Sequence, residues 1–200
     1  MNDTPANALD LFQQTGAYLR GHFRLTSGLH SPEYLQCALV LQHPAIAERL
    51  GRELAARIRT AIPGLEPTVV VSPALGGILI GHEVARALGT RFLFTERDPQ
   101  SGMSLRRGFS LGEDEVAVVI EDVVTTGGSS REVVDLLRAR GVDVAAAGSI
   151  IDRSGGRVDI GVQRVALATL QAITYAPEDC PLCRDGMPVE KPGSRPPAKS

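Results

Sequence analysis

The chain has 200 residues and no tryptophan, and aromatics make up only 4% of it, so its core must be built from aliphatic side chains. No apolar run approaches the roughly 18 residues needed to span a bilayer, and no membrane partner is expected. The opening stretch MNDTPANALD has no basic segment followed by an apolar one. No secretory leader is therefore expected, and the cytoplasm is the default location. Three cysteines are too few, and odd in number, for a disulfide framework. A dominant charge is missing as well: 22% of residues are charged, the net charge is −2 and the isoelectric point is near 6.1. This composition excludes nucleic-acid binding through a broad basic surface, though not a local basic site.

What is present is a rhythm. The length and a hydrophobic content of 43% suit one sizeable core with appendages. Residues from about Pro5 to Phe23 are expected to form one or two short helices. The stretch FRLTSGLHSPEYLQC, rich in turn formers, leads into a short hairpin. PAIAERLGRELAARI, from Pro44, predicts a helix with Ile46, Leu50, Leu54 and Ile58 on one stripe. Then TVVVS, TRFLFTE, VAVVIED, VAAAGSIID and RVALATL read as strands. Helical segments GGILIGHEVARALG and SREVVDLLRARG lie between them. Apolar strands alternating with helices predict an α/β fold, a mostly parallel sheet flanked by helices on both faces. The expected organisation is one domain over 1–175, with a small N-terminal hood over about 1–40. A Cys/Pro-rich tail follows over 176–200, extended and partly disordered beyond about Pro192.

The most informative stretch is VAVVIEDVVTTGGSS, Val116–Ser130. A buried strand delivers Glu121 and Asp122, and a small-residue loop then opens a helix. In such sheets ligands bind outside the carboxyl ends of the strands. A helix N-terminus presents free N–H groups and positive dipole potential, which suits phosphate. Gly127 and Gly128 admit an anion to the backbone, and Thr125, Thr126, Ser129 and Ser130 add hydroxyl donors. Carboxylates repel phosphate, so the acid pair should face vicinal ribose hydroxyls, with Mg2+ a fitting neighbour. Phosphate and ribose in one loop make a phosphoribosyl site. The competing reading is a tight strand–helix turn with acids and serines as caps. No Gly-Lys-Ser/Thr is present, so this is not a nucleotide-triphosphate loop.

VVIEDVVTTGGS resembles the PRPP (phosphoribosyl pyrophosphate) motif of type I phosphoribosyltransferases. LTSGLHSPEYLQ, SPALGGILIGHEVARAL and IDRSGG are similar to segments of the orotate branch of that family, in order and spacing over about residues 5–170. The resemblance implies the type I phosphoribosyltransferase fold and transfer of the phosphoribosyl group of PRPP to orotate, with Mg2+. The products are orotidine 5′-monophosphate and pyrophosphate, in pyrimidine (UMP) biosynthesis. It implies that Glu121 and Asp122 meet the ribose hydroxyls, Asp122 doing so in the reacting complex. Val123, Val124, Thr125, Thr126, Gly127, Gly128 and Ser129 hold the 5′-phosphate segment. Ala74, Gly76 and Gly77 lend backbone N–H groups to pyrophosphate. Thr125, Arg153 and Ser27 are implied contacts of orotate. A homodimer with a lid shared between subunits is implied too. No metal is expected to be ligated directly by protein side chains.

The chain departs from the family pattern in three places. Thr26 stands where many members have lysine, PALGG offers glycine where many have another lysine, and the lid segment FTERDPQSGMSLRRGFSLGEDE has no lysine or histidine. Arg97, Arg106 and Arg107 are the substitutes there, with Arg97 the first choice for a clamp on pyrophosphate. Pro99, Ser101, Gly102 and Gly108 would let the lid move. Cys180 and Cys183, in CPLC, have the spacing of half a zinc site, but Cys37 is distant and His22, His30, His43 and His82 stand singly. Ordinary reduced cysteines are expected. Two other functions share the loop: a purine phosphoribosyltransferase, and a PRPP-sensing regulator of the same fold that binds nucleic acid. The Ser-Gly and Ser-Pro loop with Arg153 favours orotate, and the charge balance speaks against nucleic acid.

Overall fold

A computed structural model describes residues 7–25, 27–98 and 102–192. The chain divides into two compact units, one spanning Leu41–Leu170 and the other Met1–Val40 with Gln171–Ser200.

The larger unit contains helix α3 (Pro44–Ala61), strand β3 (Val69–Pro73), helix α4 (Gly77–Leu88) and strands β4 (Arg91–Asp98), β5 (Gly102–Leu105) and β6 (Val116–Val124). Helix α5 (Gly128–Arg138) and strands β7 (Asp143–Asp152) and β8 (Gln163–Thr169) complete it. The six strands lie in the order β5-β4-β3-β6-β7-β8, and all pairings are parallel except β4 with β5. Each of the five strands expected from the sequence forms. The apolar runs explain why. Every residue of β3 is buried, as is β7 from Ala146 to Asp152, so neither face of the sheet can be left to water.

Successive side chains sort to opposite faces. Val69, Val71, Ala117, Val119, Val144 and Ala147 pack with Val133, Val134 and Leu137 of α5. On the other face α3 and α4 bring Leu50, Leu54, Ile58, Ile80 and Val84, each fully buried. A Cβ at Gly148 would meet Ile120 at 2.8 Å and Ile58 at 3.2 Å, so β7 carries no side chain where α3 crosses it. The core is aliphatic, as the missing aromatics require.

The smaller unit is built differently. Helix α1 (Ala8–Gln14) is closed by a capping box between Asn7 and Asp10. Gly16 then turns the chain at a φ of 66°. Strand β1 (Tyr18–Arg24) pairs antiparallel with β2 (His30–Leu35). Residues 18–24 therefore form a strand and not part of a helix. Val40 lies within the short helix α2 (Cys37–Leu41), at the end of this part of the chain. The C-terminal segment is not merely extended: it holds a 3-10 turn at Pro177–Asp179 and one helical turn, α6 (Pro181–Arg184). Main-chain bonds attach it to the hairpin, Arg24 donating to Glu190, Glu190 to His22, and His30 exchanging bonds with Tyr175. The expected disorder beyond Pro192 and the lid residues Pro99 and Ser101 lie outside the described residues, as does Thr26.

Candidate active site

Parallel strands put their carboxyl ends at one edge of the sheet. After β3 the chain winds outward to β4, and then returns to lay β6 on the other side of β3. The strand order therefore reverses between β3 and β6, the place where such sheets open a crevice. The two segments that flank it are 74–77 after β3 and 121–129 around the end of β6.

These segments touch. A Cβ on Gly76 would fall 2.7 Å from both oxygens of Asp122, so only glycine lets that carboxylate lie against the backbone at the start of α4. The Ala74–Leu75 peptide is cis. One of the donors expected here is already engaged: the Ala74 N–H bonds the Thr95 carbonyl at 2.8 Å. Gly76 and Gly77 remain, at a helix start without a side-chain cap.

The loop after β6 is shaped for an anion. Gly127 caps α5 with φ 71°, ψ 7°, and no side chain caps this helix end. The first intrahelical bond is Arg131 N–H to Gly127 carbonyl at 2.9 Å, so the N–H groups before it face outward. Val158 and Ile160 close over Gly127, where a Cβ would fall 2.5 and 2.6 Å from them. Thr125, Thr126 and Gly128 are exposed and Ser129 half-buried, accessible to a ligand. Val123 is half-buried and Val124 buried within β6.

Ser130 behaves otherwise than expected. It is buried, and its hydroxyl donates to the Glu121 carboxylate. It is therefore a support for the acid pair, not a phosphate donor. Burial pushes the Glu121 carboxyl up to about 7; the Ser130 bond opposes this and the Asp122 charge adds to it. The two acids thus differ, Glu121 half protonated near neutrality beside an Asp122 set over backbone.

Arg153 follows β7, whose last residue Asp152 is paired with Val124. Its N–H bonds the Val124 carbonyl at 2.8 Å, placing it next to Thr125. The residue is 9% exposed and is not without a partner. Asp152 is fixed beside it, accepting from the Ser154 N–H and hydroxyl and from Arg164 at 3.0 Å. A cavity of about 160 Å³ is lined by Val124, Ser149, Asp152 and Arg164, but by neither acid and by no residue of 125–129.

The lid segment is a hairpin of β4 and β5. Arg97 pairs with Glu132 of α5 at 2.8 Å, and Arg107, at φ 59°, forks onto Glu96. Arg106 is exposed and forms no ion pair with a described residue. Arg97, the first choice from sequence, thus fastens the hairpin to α5, and Arg106 stands near Glu96 without an ion pair among the described residues. The chain's two lysines, Lys191 and Lys199, both lie in the tail. Ser27 is exposed in the turn between β1 and β2. No helix among the described residues is long and apolar enough to cross a membrane.

Comparison with known proteins bears directly on this geometry. Residues 38–179 match the family described as phosphoribosyl transferase domain. An orotate phosphoribosyltransferase of Pelotomaculum thermopropionicum is 58% identical over 92% of this chain and 95% of its own length. That of Heliobacterium modesticaldum is 54% identical over 94% of this chain and 96% of its own. The crystal structure of orotate phosphoribosyltransferase from Aeropyrum pernix superposes with a TM-score of 0.63 at 26% identity, covering 80% of this chain and 92% of that one. A crevice at the sheet's reversal point, an acid pair whose Asp122 lies over glycine, and identity at this level across nearly the whole length lead to one conclusion: the chain belongs to the phosphoribosyltransferase family, in its orotate phosphoribosyltransferase branch.

Proposed function

We propose that this chain transfers the phosphoribosyl group of PRPP to orotate, forming orotidine 5′-monophosphate and pyrophosphate. The observation that carries the reading is the contact of the Asp122 carboxylate with Gly76, which sets a ribose-binding acid against a pyrophosphate-binding turn. The bond from the ribose anomeric carbon to the pyrophosphate oxygen breaks, and pyrophosphate leaves with the electron pair. A ring nitrogen of orotate bonds that carbon and gives up its proton to the departing pyrophosphate or to solvent. No protein nucleophile is needed; the protein holds, orients and keeps out water.

Backbone N–H groups of 126–129 with the hydroxyls of Thr126 and Ser129 hold the 5′-phosphate. Glu121 and Asp122 accept from the ribose hydroxyls. Gly76 and Gly77 donate to the leaving pyrophosphate. Arg153 and Thr125, adjacent through the Val124 carbonyl, take the orotate carboxylate and ring oxygens, where a planar fork of donors fits. The assignment of Ser27 rests on the resemblance of its turn alone. An oxygen-only acid pair suits a hard cation, and Mg2+ arriving on pyrophosphate would sit beside Asp122 and balance the charge of the leaving group. Arg106, with Arg97 as its anchor, covers that group when the hairpin closes. A homodimer in which each hairpin serves the partner's crevice completes the reading. The frame is one domain over 1–175, with the hood over about 1–40 and the tail over 176–200. The cytoplasm is where such a reaction would run.

Pyrophosphate release tests this. With PRPP and Mg2+, orotate is expected to support release, while uracil, adenine and hypoxanthine fall at least 100-fold behind, as when a buried charged partner lacks its mate. Release with a purine and none with orotate would overturn it.

A further inference from the structure

Four side chains far apart in sequence meet in the smaller unit. His22 and His30 come from β1 and β2, Cys180 is the N-cap of the α6 turn and Cys183 lies within it. One donor atom from each lies within 4.8 Å of all the others. Cys183 Sγ is 3.3 Å from His30 Nδ1 and 3.7 Å from His22 Nε2, and Cys180 Sγ is 3.5 Å from His22 Nε2. The two ring nitrogens are 2.8 Å apart. We propose that His22, His30, Cys180 and Cys183 bind a structural Zn2+ ion that clamps the C-terminal segment to the β1–β2 hairpin. This departs from the expectation of no direct metal ligation.

The distances suit the ion. Tetrahedral zinc with Zn–N of about 2.0–2.1 Å and Zn–S of about 2.3 Å implies nitrogen–sulfur edges of about 3.5 Å and a nitrogen–nitrogen edge of about 3.3 Å. All three observed nitrogen–sulfur separations fall at that edge length. The nitrogen pair, at 2.8 Å, is tighter and would open by about 0.5 Å.

The donors suit it too. His22 is held by its other nitrogen, Nδ1, which lies 2.8 Å from the Met187 carbonyl. Donation there leaves Nε2 as a bare lone pair aimed into the cluster, the outer bond that zinc-ligating histidines make. His30 offers Nδ1, which lies 3.3 Å from Cys183 Sγ. Two thiolates with two neutral imidazoles cancel the charge of a divalent ion, and a neutral group can be buried. Cys180 is fully buried, His22 is 3% exposed and His30 7%. Four protein ligands leave no open position, so the site is structural and not catalytic. Loading is Zn2+ plus two thiols giving the dithiolate complex and two protons released to solvent.

The surrounding fold gives the ion a task. A two-stranded hairpin is marginal alone, and small units without a large core depend on cross-links. Here the link would join positions about 150 residues apart in sequence, where closing the chain costs most.

The test uses the full-length, untagged protein, purified under reducing conditions without chelator. Elemental analysis should find about one zinc per chain. Cys183→Ser, at an exposed position, should reduce it at least tenfold while His82→Ala, also exposed, leaves it unchanged. Because a ligand variant could simply misfold, wild-type protein exchanged with Co2+ gives an independent reading. Tetrahedral visible bands with a thiolate-to-cobalt charge-transfer band support the site. Wild-type protein with under about a tenth of a zinc per chain that takes up neither Zn2+ nor Co2+ after reduction overturns it, as does metal retained in full by Cys183→Ser.

Discussion

In the unit spanning Leu41–Leu170, Glu121 and Asp122 stand at the end of a strand buried between two neighbours, in a sheet covered by helices on both faces. In the unit spanning Met1–Val40 and Gln171–Ser200, His22 and His30 stand on a two-stranded hairpin. The first pair is held by packing. Val133, Val134 and Leu137 behind it are fully buried, and each buried aliphatic side chain contributes roughly 1.5–3 kcal/mol. The second has a few main-chain bonds at Glu190 and Tyr175, and a cluster of soft donors. The contrast shows where this chain can hold a costly arrangement. The sheet holds a carboxyl shifted to about 7 beside a second acid, an arrangement that costs stability. The hairpin has no such reserve and relies on cross-linking.

The largest effect should come from breaking the acid pair. Glu121→Ala with Asp122→Ala should keep the circular dichroism of the wild type, since the sheet does not depend on them. PRPP affinity should fall by on the order of 3–6 kcal/mol, two charge-assisted bonds at about 1.5–3 each. Calorimetry reads this directly, and unchanged binding would detach the pair from the ribose.

Arg153 should come next. Arg153→Ala should weaken orotate binding by roughly 2–4 kcal/mol, the usual loss when one partner of a desolvated charge pair is truncated, and leave PRPP binding nearly intact. Arg153→Lys should recover part of it, because a point charge cannot reproduce the fork. An orotate KM and kcat/KM within about threefold of wild type, under roughly 0.7 kcal/mol, would remove Arg153 from base recognition.

The smallest effect concerns stability. The Glu121 carboxyl is raised in the folded state, so its contribution is present below the ordinary value of 4.5 and lost as pH climbs through about 7. Glu121→Gln does not titrate. It should match the wild type at pH 4, below the ordinary value, and exceed it above pH 8 by at most about 3 kcal/mol, the equivalent of the full shift. Denaturant unfolding at the two pH values checks this. Parallel curves at both would mean that Glu121 is not held against its charge.

Much of the larger unit is legible in the chain because its signals are local. The unbroken apolar runs of β3, β6 and β7 declare a two-sided sheet, and the order of strand, acid pair, Thr-Thr-Gly-Gly and helix declares the loop. What is not legible depends on distance. Nothing near Ser130 says that its hydroxyl turns back across the loop to Glu121, and nothing near Arg97 names Glu132, 35 residues away. The stretch from Tyr18 to Arg24 reads as helix because Tyr18, Leu19 and Phe23 have no strict alternation. The turn at Gly16 and the pairing with β2 decide otherwise. The histidines stand singly in sequence because their partners are about 150 residues away, aligned by the register of Glu190 against His22 and Tyr175 against His30.

PRPP is expected to sit where the strand order reverses, and a crystal structure of the protein with PRPP and Mg2+ would show whether it does. The 5′-phosphate oxygens should lie within hydrogen-bond distance of the backbone N–H groups of 126–129, the ribose hydroxyls on Glu121 and Asp122, and pyrophosphate against Gly76 and Gly77. PRPP bound elsewhere in the unit, for instance in the cavity beside Asp152 and Arg164, with the 125–129 loop untouched, would contradict it.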